Sequence, residues 1–472
     1  MKYFLCCLAL IIGGSALSQA QSSAELAPTP PMGWNSYNCF GATVEEAEVR
    51  ANAEYVAKYL KPFGWDYVVI DFCWWYPHPP GSSQSNPPQF SLKVDGSLVP
   101  YFQMDNYGRL LPDPRRFPSS TNGKGFKPLA DYIHSLGLKF GIHVMRGIPR
   151  QAVWYNTPIL GTDGIKAKNV VDTTSICPWL NNMWGVKTNV PGGQEYYDSI
   201  LKLYAEWGVD YIKLDDTDLD EKYPYRRTEV SAFHQAIANS GRPITLSLSL
   251  NMKYENREHA MENAELWRIS KDFWDSWEQL EEQFPLIAQW AEHAGPGNWP
   301  DADMLQLGKI AKRGPVGKER YSRFTEDEQY THMSLWCIAR SPLMMGGNLP
   351  ENTPFTLQLL TNPEVLAVHQ KGEAPRQLYW KDDICVWVSK IPGSNDLNLG
   401  VFNTGESNKT TQVSLAELGL PVQDKKRKAL VYQVRDLWKR QDLSKVSNLL
   451  EMSINPHGAK LFRISLLPAS KK

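Results

Sequence analysis

The sequence predicts an enlarged (β/α)8 barrel followed by a C-terminal antiparallel β-sandwich. Over about 320 residues, short apolar runs of strand length alternate with amphipathic helical stretches, an order typical of parallel α/β barrels. From about Gly372 onward the pattern changes to strands and turns without helices, which predicts a sandwich of about 95 residues. The length of 472 residues also favours two domains. A doubly wound open sheet is the alternative to the barrel, but the glycine-rich phosphate-binding turn that it needs after its first strand is missing.

Eight runs are predicted as barrel strands, with helices between most of them. The strands are 31–34, 67–70, 138–142, 209–214, 244–250, 266–270, 299–305 and 343–345. The helices are 43–60, 129–136, 193–207, 229–239, 276–293 and 325–338. Thr43 can cap the first of these helices, and Glu45 and Glu46 suit the positive end of its dipole. The sandwich strands are predicted at 383–388, 397–402, 430–434 and 459–464. No cluster of ionisable residues in the sandwich suggests chemistry, so we expect the sandwich to cover the barrel.

A long insertion, residues 74–124, separates the second barrel strand from its helix. Prolines at positions 77, 79, 80, 87 and 88 predict an irregular loop containing one hairpin. Because the insertion follows a strand on the active face of the barrel, we expect it to form a wall of a pocket.

The first twenty residues have the three regions of a secretory signal peptide. Lys2 precedes an apolar run at 3–14, and Ser18, Gln19 and Ala20 supply small residues for cleavage. The predicted division is a signal peptide at 1–20, a catalytic barrel at 21–371 and a sandwich at 372–472. No later run reaches the roughly 20 apolar residues of a membrane helix. We therefore expect an exported protein, periplasmic or secreted, without membrane insertion.

Charge and cysteine content narrow the possible functions. The formal net charge is −1 and there is no basic stripe, which argues against a nucleic-acid ligand. No metal-binding motif is present, and no cofactor is expected. Cys6 and Cys7 fall in the signal peptide, and the remaining cysteines are odd in number, so at least one is unpaired within the chain. Cys39 and Cys73 follow neighbouring strands, whose ends come within disulfide reach, so we expect these two to be linked.

Carboxylates recur just after the predicted barrel strands. Asp215 lies in the run Lys213-Leu214-Asp215-Asp216 at the end of the fourth strand. Asp71 and Asp272 follow two other strands, and Asp303 lies within the run 299–305. Polar groups past an apolar strand point into the mouth of a barrel, where substrates bind. The alternative is that they form ion pairs that brace the rim.

Two such carboxylates can hydrolyse a glycosidic bond. In the retaining mechanism one attacks the sugar carbon and the other protonates the leaving oxygen. Lys213 lies on the same side of its strand as Asp215 and would keep it ionised, which suits a nucleophile. Asp272 lies among Phe273 and Trp274, apolar surroundings that suit a general acid.

Four stretches of the chain form a recognisable set of motifs: 31–38 (PMGWNSYN), 113–118 (DPRRFP), 207–215 (WGVDYIKLD) and 295–305 (GPGNWPDADML). Together they resemble glycoside hydrolase family 27, the family of α-galactosidases and α-N-acetylgalactosaminidases. The resemblance implies that Asp215 is the nucleophile and Asp272, which follows Arg268, the acid/base. It also implies sugar-binding roles for the residues Asp71, Lys213, Arg268 and Asp303, with Trp34 and Tyr37 near the pocket wall.

The departures from the family pattern concern the substrate. Phe72 replaces the second of two aspartates that hold the galactose 4- and 6-hydroxyls, His143 replaces a tyrosine, and Ser249 replaces a glutamate that meets the 2-hydroxyl. The expected substrate is an oligo- or polysaccharide with terminal α-galactosyl-like residues, cleaved by an exo-acting retaining α-galactosidase. The alternatives are β-L-arabinopyranose, N-acetylgalactosamine or an α-glucoside as the glycone, or a non-catalytic carbohydrate-binding protein. The sequence carries no signal for oligomeric state.

Overall fold

The structure, a computed structural model, describes residues 22–79, 91–94, 97–218, 222–249 and 251–468, with the backbone alone for 91–94 and 97–100. The expected signal peptide, including Cys6 and Cys7, lies outside the described residues. No helix among these residues is long and apolar enough to cross a membrane.

Eight parallel strands form the predicted barrel and follow one another around it in chain order. They are β1 (Met32–Asn35), β2 (Tyr67–Ile70), β3 (Lys139–Met145), β4 (Tyr211–Asp215), β5 (Thr245–Leu248), β6 (Leu266–Arg268), β7 (Trp299–Asp301) and β8 (Leu343–Met345). The last strand pairs with the first through Met32 and Leu343. A parallel bridge between Leu305 and Met345 completes the ring between β7 and β8. The (β/α)8 prediction is confirmed.

Helices cover the outside of the barrel. They are α1 (Glu46–Tyr55), α2 (Lys127–Ser135), α3 (Gly193–Trp207), α4 (Arg227–Ser240), α5 (Arg257–Asn263), α6 (Trp277–Trp290), α7 (Glu326–Ala339), α8 (Pro354–Leu360) and α9 (Pro363–Lys371). Local signals fix several ends. Thr325 and Glu328 form a capping box at the start of α7, and Gly208, with a φ of 85°, ends α3. Three of these helices were not predicted: α5 and α8, each seven residues long, and α9, which has nine residues.

The loops after β2 and β3 rise above the carboxyl ends of the strands. The first contains an antiparallel hairpin of Ser91–Val94 and Ser97–Pro100, as predicted. The second contains a three-stranded sheet of Ile148–Pro149, Val171–Ile176 and Met183–Val186. Asn182 Nδ2 donates to the Tyr76 hydroxyl at 2.7 Å and joins the two loops.

A C-terminal sandwich begins two residues after α9 ends. Its strands are β9 (Glu373–Lys381), β10 (Ile384–Lys390), β11 (Leu397–Asn403), β12 (Lys409–Ser414), β13 (Tyr432–Asp436), β14 (Gln441–Asp442), β15 (Leu449–Ile454) and β16 (Ala459–Leu466). Six of them form one antiparallel sheet in the order β9-β10-β11-β16-β13-β14, and β12 pairs with β15. Their inward side chains, such as Val386, Val401 and Val413, form a separate core. The predicted sandwich is confirmed.

The sandwich packs against the barrel helices α6 and α7. The His457 ring stacks on Trp277 at a centroid distance of 3.7 Å, and His457 Nδ1 lies 2.9 Å from Glu328 Oε1. Phe284 of α6 packs edge-on against Phe402 of β11. The expectation that the sandwich covers part of the barrel agrees with these contacts.

The predicted disulfide between Cys39 and Cys73 is wrong. Both are buried free thiols, as are Cys177, Cys337 and Cys385. The two side chains have different surroundings: a backbone group of Lys312 hydrogen-bonds to Cys39, whereas the charge of Arg116 acts on Cys73. Strands adjacent in the barrel therefore do not bring these thiols together.

A buried arginine fixes the loops that follow β1 and β2. The Arg116 guanidinium donates five hydrogen bonds, all to backbone carbonyls, at 2.7–3.3 Å. The carbonyls belong to the residues Ala42, Val44, Cys73 and Tyr76. Its neighbour Arg115 is half-exposed and pairs with Asp113. The planar fork of arginine suits this cluster of acceptors better than a lysine ammonium.

We expect Arg116→Lys to lower the free energy of unfolding by about 2–4 kcal/mol, because several carbonyls lose a charged donor. Scanning calorimetry of the whole chain would detect this as a fall in Tm. Arg115→Lys is the matched control, because a half-exposed lysine keeps a positive charge beside Asp113, so this variant should lower stability less than Arg116→Lys. Equal Tm values for the two variants would contradict this role for Arg116.

Candidate active site

A cavity of about 250 Å³ opens at the carboxyl ends of the barrel strands. Its lining consists of Tyr37, Asp71, Phe72, Trp179, Lys213, Asp215, Ser249, Arg268 and Asp272. Eight of these nine residues are among the predicted site residues, and Trp179 is the exception. The carboxyl ends of barrel strands are where TIM-barrel enzymes carry their active sites.

Asp215 is the last residue of β4 and is buried at the cavity floor. His143 Nε2 lies 2.9 Å from its Oδ2, and the backbone N–H of Asp216 donates to Oδ1 at 2.7 Å. Burial alone would raise the pKa of Asp215, but the hydrogen bond and charge of His143, together with the charge of Lys213, lower it below the ordinary value. Asp215 is therefore ionised.

Asp71 and Lys213 form a buried ion pair beside Asp215. Lys213 Nζ lies 2.9 Å from Asp71 Oδ2, which also accepts a hydrogen bond from Asn35 Nδ2 at 2.8 Å. Burial opposes ionisation of Asp71, but Lys213 and His143 outweigh it, and the net effect is to lower the pKa of Asp71. Lys213 thus holds one carboxylate directly and a second, Asp215, through its charge.

Arg268 ends β6 and lies between two carboxylates. Its Nη2 is 2.6 Å from Asp272 Oδ1, and its Nη1 is 3.3 Å from Asp303 Oδ1. Burial opposes the charge of Arg268, but Asp303 and Asp272 outweigh it and raise the pKa of Arg268. The guanidinium is therefore a fixed positive charge next to the cavity.

The surroundings of Asp272 differ from the apolar ones predicted. Its side chain is 47% exposed and pairs with Arg268. Phe273 turns away and packs against Phe324 and Trp336, and Trp277 stacks on His457 of the sandwich. Asp272 is therefore not enclosed by apolar side chains as predicted, because Phe273 and Trp277 point elsewhere, although Trp274 packs near Tyr37 of the cavity lining at a centroid distance of 6.4 Å.

Aromatic rings form one wall of the cavity. The Phe72 ring has four aromatic neighbours at centroid distances of 5.6–6.4 Å: Tyr37, Trp75, His143 and Trp179. Tyr37 also lies under the Lys213 ammonium, 5.6 Å from its ring centroid. Burial and the nearby carboxylates, Asp272 above all, raise the pKa of Tyr37, so its hydroxyl stays protonated.

Ser249 follows β5 and brings a free hydroxyl to the cavity. Its side chain is buried, and its Oγ has no hydrogen-bond partner among the residues that the structure describes. A buried unpaired hydroxyl is costly unless a ligand or water satisfies it. Ser249 is thus a polar contact available to a bound molecule.

Three predicted site residues lie behind the cavity lining. Trp34 is fully buried and its Nε1 donates to the Gly347 carbonyl at 2.8 Å, so it belongs to the core. His143 is buried behind Asp215 and Phe72. Asp303 accepts a hydrogen bond from the backbone N–H of Phe273 at 2.8 Å and supports Arg268. These residues position groups that line the cavity.

Asp216, which follows Asp215, turns away from the cavity lining. It has a left-handed φ of 62°, and its Oδ2 lies 2.7 Å from Arg146 Nη2. Burial raises the pKa of Asp216, and the negative charge of Asp215 raises it further. The charge of Arg146 opposes both effects, and the resulting pKa is about 7. Arg146 also pairs with Glu229 at 2.9 Å, so this network braces the loop after β4.

Trp179 was missed because no local signal marks it. It lies between the strands Val171–Ile176 and Met183–Val186 of the loop after β3 and is 42% exposed. The length of that loop, which follows an active-face strand, is the one signal in the sequence that could have indicated this region.

Comparisons with known proteins agree with this geometry. The family model described as alpha galactosidase A matches residues 180–371, and the model of the alpha galactosidase C-terminal beta sandwich domain matches residues 381–464. The crystal structure of a glycoside hydrolase family 27 β-L-arabinopyranosidase from Geobacillus stearothermophilus is 48% identical in sequence, with a TM-score of 0.87. The match covers 95% of this chain and 99% of that chain. The chain belongs to glycoside hydrolase family 27.

Two further relatives carry other names from this family. A Bacillus halodurans structure provisionally assigned as an α-N-acetylgalactosaminidase is 41% identical, with a TM-score of 0.80, over 92% of this chain and 97% of that chain. Alpha-galactosidase 2 of Arabidopsis thaliana is 28% identical over 93% of this chain and 90% of that protein. The protein is therefore a glycoside hydrolase of the α-galactosidase type, and the family resemblance of its four motifs is confirmed.

The pKa of Asp215 gives this enzyme a testable pH dependence. His143→Phe removes the hydrogen bond and charge that lower this pKa but leaves the burial that raises it. Less Asp215 is then ionised at a given low pH, so we expect the acidic limb of the kcat/KM profile to move to higher pH. The wild-type limb for Asp215 should lie below 3.8, the ordinary aspartate value.

His134→Phe is the matched control for this measurement. His134 Nε2 lies 2.7 Å from Asp210 Oδ2, before the amino end of β4 and outside the cavity lining. Its loss should leave the acidic limb in place. An unmoved limb in His143→Phe would mean that His143 does not control the ionisation of Asp215.

Proposed function

We propose that this protein is an exported, exo-acting, retaining β-L-arabinopyranosidase that also accepts terminal α-galactosides. The sequence favoured galactose as the glycone, whereas the shape of the cavity favours the same ring without its sixth carbon. The observation that carries the proposal is the position of Phe72 on the cavity wall, where the family places an aspartate for galactose hydroxyls. The similarity to the Geobacillus stearothermophilus β-L-arabinopyranosidase supports it.

The size of the cavity supports removal of a single terminal sugar. Its volume of about 250 Å³ is below the about 300–1,000 Å³ of pockets that hold a drug-sized ligand. One pyranose ring is the fitting occupant, with the leaving group outside. This is the arrangement that an exo-acting enzyme needs.

Phe72 changes how the cavity binds the hydroxyl group on the sixth carbon of the sugar. A phenylalanine cannot accept a hydrogen bond, and an unpaired buried hydroxyl costs about 1–3 kcal/mol. β-L-Arabinopyranose matches galactose without the sixth carbon. It has no hydroxyl group to leave unpaired beside Phe72, so it does not incur this free-energy cost. The neighbouring rings of His143 and Trp179 hold Phe72 in place.

In the proposed mechanism Asp215 attacks the anomeric carbon and the bond to the leaving oxygen breaks. Asp272 gives its proton to that oxygen, so a glycosyl-enzyme ester and a neutral leaving group result. Asp272 then removes a proton from water, which attacks the same carbon and releases Asp215 and the sugar. Arg268 and Lys213 balance the negative charges near the reacting carbon. The half-exposed position of Asp272 suits exchange with leaving group and water.

Ser249 and Asp71 are the polar groups that would hold the sugar hydroxyls. Asp71 has its charge fixed by Lys213, and the Ser249 hydroxyl has no partner among the described residues. A small serine also leaves space beside the 2-position, which is the feature that favours N-acetylgalactosamine as a second candidate. A panel of aryl glycosides with the different glycones would rank them directly.

Asp272→Ala should affect substrates according to their leaving groups. Activated aryl glycosides need little protonation, so their kcat/KM should fall by about tenfold or less, whereas poor leaving groups should lose about 10²–10⁴-fold. The measurement compares a dinitrophenyl glycoside with an alkyl glycoside. Equal losses on both substrates would contradict the assignment of Asp272 as the acid.

Phe72→Asp should move the preference toward galactose. We expect wild-type kcat/KM for an aryl β-L-arabinopyranoside to equal or exceed that for the aryl α-galactoside. The variant should raise the ratio of kcat/KM for the α-galactoside to kcat/KM for the β-L-arabinopyranoside by about tenfold. This corresponds to about 1.4 kcal/mol in transition-state binding. Phe72→Leu is the control, because it removes the ring without adding an acceptor. A wild-type enzyme that prefers α-galactosides a thousandfold, with no shift in Phe72→Asp, would contradict the proposal.

A further inference from the structure

We propose that Trp179 binds the leaving group, stacking its indole face against a sugar or aryl ring at the mouth of the cavity. This site rests on the proposed function only in that Asp272 is the acid that protonates the leaving oxygen. The ligand class is a planar aromatic or a pyranose ring, joined to the glycone through that oxygen.

Burial divides the cavity into a floor and a mouth. Asp71, Lys213, Asp215 and Arg268 have little exposed side-chain surface, at most 12% for any of them. Asp272 has 47% of its side chain exposed, and Trp179 is 42% exposed. The two exposed groups thus mark the open end of a cavity whose floor has the fixed charges.

The position of Asp272 fixes where the leaving group must be. The leaving oxygen has to lie within hydrogen-bond reach of the acid, so the group attached to it extends from the floor toward solvent. The cavity has room for about one ring, so the leaving group lies at the mouth. Trp179 lines the same cavity and is its exposed aromatic residue among the described lining.

Several contacts hold Trp179 there although it lies in a loop. The strands Val171–Ile176 and Met183–Val186 flank its turn. Asn182 donates from Nδ2 to the Tyr76 hydroxyl, and its carbonyl accepts from the Arg150 N–H at 2.9 Å. The Trp179 ring contacts Phe72 at a centroid distance of 5.6 Å and a tilt of 51°. A ring supported on one side and open on the other can receive a second ring.

The chemistry of an indole face suits a leaving group of variable identity. Stacking uses the flat apolar face of the partner ring and no directed hydrogen bond, so it tolerates different linkages and aglycones. The floor and the wall of the cavity bind the glycone, with Phe72 and Ser249 among the lining residues. Affinity for the leaving group would therefore come from Trp179, and selectivity for the glycone from Phe72 and Ser249.

The test compares leaving groups with and without a ring on one glycone. Trp179→Ala should lower kcat/KM about tenfold for an aryl β-L-arabinopyranoside and for a β-L-arabinopyranosyl disaccharide. The same variant should change kcat/KM for β-L-arabinopyranosyl fluoride by less than about twofold, because fluoride offers no ring to stack. Trp179→Phe should restore most of the loss. Trp154→Ala, which removes another exposed tryptophan outside the cavity lining, should change none of these values.

Two outcomes would overturn the proposal. Equal losses on the fluoride and the ring-bearing substrates would mean that Trp179 acts on the glycone through Phe72, and no loss on any substrate would mean that it binds nothing. If the proposed glycone is wrong, the wild-type enzyme will hydrolyse every arabinopyranoside slowly, and this result is distinct from the two outcomes above. The comparison is then made with α-galactosyl fluoride and an aryl α-galactoside, and it tests Trp179 in the same way.

Discussion

Buried ion pairs between the ends of different barrel strands are the feature on which the site depends. Lys213 on β4 pairs with Asp71 after β2, and Arg268 on β6 pairs with Asp303 after β7. Buried charges are stable only when they are paired and hydrogen-bonded, and removing one partner leaves a costly isolated charge. The strands therefore fix these groups as a set. Asp215 lies between them, accepts a hydrogen bond from His143, and has a pKa lowered despite its burial.

This arrangement separates the parts of the site by function. The charged floor would serve any glycone of the family in the proposed mechanism, since it keeps Asp215 ionised and balances its charge. The aromatic wall at Phe72 and the serine at 249 are where this chain departs from the family pattern, and both line the cavity. Substrate choice can therefore change at the wall while the floor stays the same. The loops after β2 and β3, joined through Asn182 and Tyr76, supply the wall and the mouth.

Much of the fold could be predicted from the sequence because most barrel strands are short apolar runs, and several of them end in a polar group. All eight runs are strands, and their order around the barrel follows the chain. Contacts between loops were harder to predict. Trp179 reaches Phe72 through a loop whose path depends on a small separate sheet, and nothing in the local sequence specifies that path.

The wrong expectations have a related cause, which is side-chain direction. Cys39 and Cys73 follow adjacent strands but have different neighbours. Phe273 and Trp277 are close to Asp272 in sequence, yet one points into the core and the other toward the sandwich. Sequence proximity gives the position of a residue on an element, whereas packing decides which way its side chain points.

The proposed mechanism requires that the ionised Asp215 attacks the anomeric carbon of the sugar directly. Proton NMR during the first turnovers of an aryl β-L-arabinopyranoside tests it most directly, because two displacements at one carbon retain its configuration. If Asp215 attacks directly, β-L-arabinopyranose is the first product, and the α-anomer forms only later, by mutarotation. If the α-anomer appears first, Asp215 does not attack the sugar and instead acts as a base that activates water.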